Sequence, residues 1–261
     1  MIKLLMPTYH RIEQFGNSIR SVLSSMTLEH LTPDEIHIYI YDNASLPEMR
    51  TALKTIAERF PHIFTVVLGK KNIGKAKALN TFTDQIEPDD IVVSMDSDIV
   101  ISCTGFFRTG LRLIRTFDVS AVAAWQTVNN HHKIEQEWQD AAGGYHYKTD
   151  RIGKGIAGGC FFTTGATWKL VKGYRENRGL FGGNDGYFFY DAGTKTGKPV
   201  WVCQELVVTH PPDTDAGYAA WKKTAQEQQV VHSKCMLDRG YWDKPKKVLG
   251  TESNGDTMDE K

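Results

Sequence analysis

Residues 91–100 read Ile91-Val92-Val93-Ser94-Met95-Asp96-Ser97-Asp98-Ile99-Val100. The apolar, β-branched first half predicts a buried strand. The strand leads into Asp96 and Asp98, which are separated by one residue. Because alternate side chains of an extended chain project to the same side, we expect both carboxylates to point at one spot. Adjacent like charges are costly without a cation between them, so the stretch predicts a divalent metal site at the end of a central strand. A solvated acidic turn is the alternative interpretation.

Strand and helix patterns alternate on the N-terminal side of this stretch. Apolar strand patterns cover residues 2–6, 35–41 and 64–68, and helical spacing of apolar residues covers 18–26, 47–60 and 73–82. This alternation predicts an α/β fold with a Rossmann-like, doubly wound, mostly parallel sheet in a single domain.

The C-terminal half has a looser pattern. It predicts helices at 106–116, 164–172, 185–195 and 216–237, and strands at 119–125 and 199–209. Residues 126–155 are polar and aromatic and have no assignable period. We place one domain at residues 1–242, with an N-terminal half at 1–100 and a C-terminal half at 101–242. The polar residues 243–261 are expected to be a disordered tail.

Composition and charge narrow the classes of partner. The 261 residues are 41% hydrophobic and 24% charged, which is typical of a globular protein. The chain has 31 basic and 31 acidic residues, so no overall electrostatic field favours binding to nucleic acid or to an anionic membrane. No apolar run has the length of a signal peptide core or a membrane span, which predicts a cytoplasmic location. The four scattered cysteines are expected to be reduced thiols.

Polar residues follow the predicted strands of the N-terminal half. The segments are Pro7-Thr8-Tyr9, Asp42-Asn43-Ala44-Ser45, Asn72-Ile73-Gly74-Lys75 and Asp96-Ser97-Asp98. The carboxyl ends of parallel strands meet at one edge of a sheet, where open α/β sheets bind their ligands. The sequence therefore predicts a single pocket at this edge.

The order of these motifs resembles that of the family-2 glycosyltransferases, enzymes with the GT-A fold that transfer a sugar from a nucleotide-sugar donor. The resemblance covers roughly residues 1–210 and rests on six segments: Met6-Pro7-Thr8-Tyr9-His10-Arg11, Tyr41-Asp42-Asn43-Ala44-Ser45, the stretch 72–80, Met95-Asp96-Ser97-Asp98, Ala157-Gly158-Gly159-Cys160-Phe161 and Gly183-Asn184-Asp185. The chain departs from the family pattern at His10, where Asn is usual, and at Asn184, where Glu often precedes the Asp.

This resemblance implies a nucleotide-sugar-binding half at residues 1–100 and an acceptor half at 101–242. It also implies a donor site and a metal site. Donor-binding residues would be Pro7, Thr8, Tyr9, Arg11, Asp42, Asn72, Lys75, Asp96 and Ser97. Asp42 would bind the nucleobase, and a helix N-cap is its alternative or additional role. Lys75 would contact a phosphate, and a solvated helix charge is its alternative. Asp96, Asp98 and His210 would hold Mn²⁺ or Mg²⁺, and the imidazole favours Mn²⁺. The alternative for His210 is a hydrogen-bonded loop residue.

The acceptor side carries the predicted general base, Asp185, which would take the proton of an acceptor hydroxyl. A carboxylate that stabilises a helix N-terminus is the competing interpretation of Asp185. Trp125, Gly158, Gly159 and Asn184 are the candidate acceptor-binding residues. Large aromatic residues such as Trp125 also serve as core residues.

The predicted function is metal-dependent transfer of a sugar from a nucleotide diphosphate sugar, with a UDP-sugar as the first guess, to an acceptor hydroxyl. The sequence does not select among four classes of acceptor, namely a saccharide, a protein, a small metabolite and a modified nucleic acid. A nucleotidyltransferase and a catalytically idle sugar-nucleotide-binding module are the alternatives. Stereochemistry and oligomeric state stay open.

Overall fold

A computed structural model of the chain describes residues 1–127, 138–141, 145–150, 158–176, 184–212, 217–220 and 222–224. The strands are β1 (Ile2–Thr8), β2 (Ile36–Asp42), β3 (Phe64–Leu68), β4 (Ile91–Met95), β5 (Val100–Ile101), β6 (Ala121–Gln126), β7 (Trp138–Ala141), β8 (Tyr145–Asp150), β9 (Cys160–Thr164) and β10 (Val200–Thr209). The helices are α1 (Ile12–Leu28), α2 (Pro47–Arg59), α3 (Gly74–Asn80), α4 (Phe106–Thr116), α5 (Gly165–Val171) and α6 (Asn184–Thr196), with a short 3₁₀ turn at Thr83–Gln85.

These strands form one sheet in the order β3-β2-β1-β4-β9-β6-β10-β8-β7, and β5 pairs with β10. The first four strands of that order are parallel, as the alternation of strands and helices predicts. β9 runs antiparallel between β4 and β6, and β6 is parallel to β10. The predicted α/β, Rossmann-like fold class is confirmed, and the antiparallel pairs are confined to the C-terminal half and its junction with β4.

Helices cover both faces of the sheet, and each face has its own hydrophobic core. In β1, Leu4 and Met6 belong to the core beneath α1, α2 and α4, whereas Leu5 belongs to the core beneath α3, α5 and α6. This alternation follows from the twofold side-chain period of a strand. The near-continuous apolar run of β4 is fully buried because both of its faces are covered.

Element bounds differ from the prediction at a few places. α1 begins at Ile12 rather than near residue 18, because Arg11 adopts a left-handed conformation with φ 54° and turns the chain into the helix. The segment without a period, 126–155, contains β7 and β8. Most of the predicted helix 216–237, and all of the tail 243–261, lies outside the described residues. Residues 217–220 and 222–224 are helical.

In the described part of the chain, no helix combines the length and the apolar character that crossing a bilayer requires. Cys103, Cys160 and Cys203 are free thiols, as predicted, and Cys235 lies outside the described residues.

Candidate functional site

The sheet brings the predicted polar residues to one edge. Thr8 and Asp42 are register partners at the ends of β1 and β2. β5 runs antiparallel to the end of β10, with Thr209 opposite Val100. Because Asp98 precedes Val100 by two residues and His210 follows Thr209, this pairing sets His210 beside Asp98.

Asp98 is buried and is held by a guanidinium and an imidazole. Its Oδ2 lies 2.7 Å from Nη2 of Arg11 and 2.9 Å from Nε2 of His210. Burial alone would raise the pKa of Asp98, but the hydrogen bond from His210 and the charge of Arg11 outweigh burial and hold that pKa well below its usual range. The same hydrogen bond raises the pKa of His210, against the opposing effect of burial. Asp98 is therefore not part of a solvated turn.

The loop between β1 and α1 aims Arg11 at Asp98. His10 and Arg11 both have positive φ, 58° and 54°, which is uncommon for residues with a side chain. The backbone N–H of His10 donates to Oγ of Ser45, and its ring Nδ1 accepts from the N–H of Leu46. His10, which replaces the usual Asn of the motif, thus ties this loop to the loop after β2. The guanidinium of Arg11 also lies over the ring of Tyr218, with its Cζ 3.9 Å from the ring centroid.

Lys75 joins the predicted metal carboxylate to the predicted base. Its Nζ lies 2.8 Å from Oδ1 of Asp96 and 2.7 Å from Oδ1 of Asp185. Burial would lower the pKa of Lys75, but the two carboxylates raise it well above its usual value. Burial raises the pKa of Asp96 to about 6, with Lys75 opposing and the other two carboxylates adding to the rise. The interpretation of Lys75 as a solvated helix charge is wrong.

A buried tyrosine that the sequence did not reveal orients Asp185. The hydroxyl of Tyr174 donates to Oδ1 of Asp185 at 2.9 Å and lies 2.8 Å from Oγ of Ser94. Burial, followed by the charge of Asp185, raises the pKa of Tyr174 well above its usual value, so the hydroxyl keeps its proton. The signal in the sequence was Ser94, a polar residue inside the apolar run of β4 that requires a buried partner.

The two glycines predicted on the acceptor side lie against Asp185 and against the backbone of Asp96. A Cβ on Gly158 would lie 1.9 Å from Cβ of Asp185, so only glycine fits there. The carbonyl of Gly159 accepts a hydrogen bond from the backbone N–H of Asp96 at 2.8 Å. Trp125 is half-buried and packs against the core beneath α3, α5 and α6, and Asn184 is the first residue of α6.

Asp42 lies at the predicted nucleobase side and is fully buried. It accepts from the backbone N–H of Ser45 at 3.1 Å, and its Oδ2 lies 2.8 Å from Nη1 of Arg50. The N-cap of α2 is Leu46 rather than Asp42, so the capping interpretation is wrong. Arg50 was missed because it lies a full loop and one helical turn away in sequence, and it also donates to the carbonyl of Gly69.

The remaining predicted donor residues line the same loops. Asn72 accepts from the backbone N–H of Gly74 through its Oδ1 at 2.9 Å, so its side chain shapes the start of the helix that carries Lys75. Pro7 and Thr8 end β1, and Tyr9 stacks on His10 with ring centroids 3.9 Å apart. Oγ1 of Thr8 is buried without a hydrogen-bond partner among the described residues, and Ser97 is buried between the two aspartates.

The chain is similar in sequence to a known protein family. The sequence profile described as Glycosyl transferase family 2 matches residues 4–173, which is more than half of the chain. The chain belongs to this glycosyltransferase family. The matched range contains β1 through β9 and both aspartates of the Asp-x-Asp motif, but it ends before Asp185 and His210. No curated protein matches this chain in sequence.

Solved structures share the fold of this chain. A mannosyltransferase from Pyrobaculum calidifontis, in complex with GDP-Man and Mn²⁺, has a TM-score of 0.60 at 18% identity over 91% of this chain and 64% of its own. GalNAc-T7 with UDP, GalNAc and Mn²⁺ has a TM-score of 0.62 at 10% identity over 80% of this chain and 43% of its own. TarS of S. aureus, residues 1–349 in complex with UDP-GlcNAc, has a TM-score of 0.56 at 16% identity over 81% of this chain and 59% of its own. The chain therefore spans less than two thirds of the length of each of these structures.

The arrangement of the two motif aspartates differs from the prediction in one respect. β4 ends at Met95, and the chain turns at once, with the N–H of Ile99 donating to the carbonyl of Asp96. As a result Asp96 faces Lys75, whereas Asp98 faces Arg11 and His210, and the carboxylates do not converge on one point. Among the described residues, no group of three His, Cys, Asp or Glu side chains is placed to hold a metal. The ligand types suit a hard divalent cation, but Arg11 and Lys75 hold the carboxylates in this structure.

Proposed function

We propose that this glycosyltransferase transfers a sugar from a nucleotide diphosphate sugar, with a UDP-sugar as the first candidate, to an acceptor hydroxyl, with a divalent cation at Asp96, Asp98 and His210. The observation that carries the proposal is the contact of one buried ammonium, on Lys75, with both Asp96 and Asp185. This contact joins Asp96 of the Asp-x-Asp motif and Asp185, the candidate base, in one site at the edge of the sheet. A cytoplasmic location and the acceptor classes named above belong to the same proposal.

Asp185 is the proposed general base. Lys75 and Tyr174 both contact its Oδ1, so among the described residues these contacts leave Oδ2 to accept the proton of the attacking hydroxyl. The side chain of Asp185 is 24% exposed, so its carboxylate is accessible to an acceptor. The hydrogen bond from Tyr174 fixes the orientation of the carboxylate. The helix-terminus interpretation does not conflict with this role, because Asp185 also lies in the first turn of α6.

The donor would lie along the loops after β1, β2 and β4. Tyr9 and the buried Asp42–Arg50 pair lie at the nucleobase end, and Lys75 and Arg11 bring positive charge to the diphosphate end. When bound, a divalent cation would stabilise the negative charge that develops on the leaving diphosphate. The acidic pair would hold that cation in competition with its present partners, Lys75 and Arg11.

A thermal-shift panel tests this proposal directly. UDP, GDP, CDP and TDP are each added with Mn²⁺, Mg²⁺ or EDTA to the wild type and to Asp98→Ala. We expect one diphosphate to raise Tm in a metal-dependent way, because a ligand that binds only the folded state stabilises it by about 2.7 kcal/mol at a hundred times Kd. The shift should be lost in Asp98→Ala. If no diphosphate shifts the wild type under any condition, the proposed function is wrong.

The affinity for nucleotide and metal is expected to depend on pH. A carboxylate must be ionised to bind a cation, and the pKa of Asp96 is about 6. His210, whose pKa is also raised, must be neutral to act as a ligand. Protonation of Asp96 and protonation of His210 both weaken metal binding as the pH falls. The affinity for UDP with Mn²⁺ should therefore fall at least about tenfold between pH 7 and pH 5. Calorimetric titration at the two pH values measures this change, and UDP with EDTA is the control that should vary less. Equal affinities at both pH values would contradict the ligand assignment.

A further inference from the structure

Gln126 carries a buried amide that has no hydrogen-bond partner among the described residues. It is the last residue of β6, and only 3% of its surface is exposed. No described residue forms a hydrogen bond with its side-chain oxygen or nitrogen. Burial of an unpaired amide costs free energy, and most buried polar groups in proteins are therefore paired. The hydrogen-bonding groups of Gln126 are available to a molecule that binds at this end of β6.

The amide of Gln126 lies at the edge of the sheet that carries the candidate site. Gln126 is the register partner of Val208 in β10, two residues before His210. The next residue along the chain, Thr127, is exposed, so β6 leaves the core at this point. Nε2 of Gln126 is the atom nearest to the position that a Cβ on Gly159 would occupy, at 2.8 Å. The amide therefore packs against Gly159, which is itself only half-buried.

Gly158 and Gly159 connect this position to both ends of the site. The carbonyl of Gly159 accepts from the backbone N–H of Asp96, and Gly158 lies against the side chain of Asp185. In the proposed reaction, the bond to the diphosphate breaks and the bond to the acceptor oxygen forms at the same carbon of the sugar. The sugar ring must therefore lie between the diphosphate end, at Asp96, and the proposed base, Asp185. Gln126 borders that space.

The chemistry of an amide suits a sugar better than a phosphate. The three carboxylates of the site are already paired with basic side chains, whereas Gln126 is neutral and unpaired among the described residues. An amide has N–H donors and a carbonyl acceptor side by side, and each hydroxyl of a sugar is both a donor and an acceptor. An ionised diphosphate offers acceptors alone, so the carbonyl oxygen of the amide would find no donor there.

We propose that Gln126 binds hydroxyl groups of the sugar that the donor carries, and that it contributes in this way to the choice of sugar. The inference rests on the proposed function and adds to it a residue for the sugar itself. Its hydrogen bonds add to the affinity for the nucleotide sugar and not to the affinity for the bare diphosphate, because only the first ligand has the hydroxyls.

Calorimetric titration of the full chain with diphosphates and nucleotide sugars tests the proposal. The ligands are UDP and GDP with their glucose, galactose, N-acetylglucosamine and mannose derivatives, in the buffer that gives the largest thermal shift. Gln126→Met keeps the length of the side chain and removes the amide. We expect it to bind the preferred nucleotide sugar about tenfold more weakly than the wild type, since sugar hydroxyls are left unpaired. The affinity for the bare diphosphate should stay within about twofold of the wild type.

Analogues of the preferred nucleotide sugar that each lack one hydroxyl identify the group that Gln126 binds. At least one analogue should bind the wild type about tenfold more weakly than the complete sugar does. The same analogue should bind Gln126→Met within about twofold of the complete sugar, because the two partners of one hydrogen bond are not lost independently. A side chain that only stabilises the fold would not produce this coupling.

A second glutamine provides the matched control. Gln85 is exposed in the 3₁₀ turn before β4, so Gln85→Met should change neither the affinity for the diphosphate nor that for the nucleotide sugar. Circular dichroism of each variant establishes folding. Gln126→Leu, which also lacks the amide, replaces Gln126→Met if that variant does not fold.

The outcomes separate this inference from the proposed function. If a diphosphate and its nucleotide sugar bind, but Gln126→Met binds both as the wild type does, the role of Gln126 is wrong and the function stands. Equal weakening of both ligands by Gln126→Met would also overturn it, because the lost contact would then not be with the sugar. If no diphosphate or nucleotide sugar binds the wild type, the proposed function fails and the inference fails with it.

Discussion

Asp185→Asn is expected to lower kcat for sugar transfer by about 10²–10⁴-fold, the usual contribution of a general base. The amide keeps the size of the side chain and can still accept the hydrogen bond from Tyr174, but it cannot take a proton from the acceptor. Since the acceptor is open, release of nucleoside diphosphate from a panel of UDP- and GDP-sugars, with water and with a glycan and peptide library, is the measurement.

Donor affinity provides the control for this variant. Asp185 touches neither Asp98 nor the Asp42 side of the site, so the diphosphate should shift the Tm of Asp185→Asn about as much as it shifts the wild type. Asp118→Asn, at a carboxylate with 82% side-chain exposure that pairs only with exposed Lys198 among the described residues, should keep full activity. Asp185→Asn with near wild-type turnover would show that another group takes the proton and that Asp185 serves the helix terminus.

Lys75→Met is expected to lower the free energy of unfolding by about 2–3 kcal/mol. Breaking a fully buried ion pair typically costs about 3–5 kcal/mol. The expected cost is smaller here because the side chains of Asp96 and Asp185 are 33% and 24% exposed. Removing the ammonium leaves two carboxylates close together without the cation between them. Urea unfolding of the variant and the wild type measures the difference.

A matched lysine distinguishes this effect from the loss of any ion pair. Lys169 pairs with Glu87 at 3.5 Å, and both side chains are exposed, so Lys169→Met should cost at most about 1 kcal/mol. Adding Asp185→Asn to Lys75→Met should restore part of the lost stability, since one of the two repelling charges is then neutral. Equal destabilisation by Lys75→Met and Lys169→Met would mean that Lys75 has no special place in the site.

Much of the fold could be predicted because each signal was local. The apolar run of β4, the bounds of α4 and the sequence of strands and helices up to β4 follow from side-chain periods of 2 and 3.6 residues. The same reasoning could not place β7 and β8, because residues 126–155 have no apolar period. It also missed the early start of α1, where two residues with positive φ turn the chain after β1.

The members of the candidate site could be predicted, but several of their partners could not. Asp96, Asp98, Asp185 and His210 follow from motifs and from positions at strand ends and at the start of a helix. Tyr174 and Arg50 have no local pattern, because each acts across the fold on a residue elsewhere in the chain. Burial of Ser94 and Asp42 required such partners but did not say which residues they would be.

The sequence by itself therefore determined the fold class, the family and the edge of the sheet at which the polar residues gather. Only the tertiary structure decided which charge meets which: Lys75 with Asp96 and Asp185, and Arg11 and His210 with Asp98. The physical reason is that a strand period is a property of neighbouring residues, whereas an ion pair depends on distances set by packing. The turn directly after Met95 directed the two carboxylates to different partners, and no pattern of residue types encodes that direction.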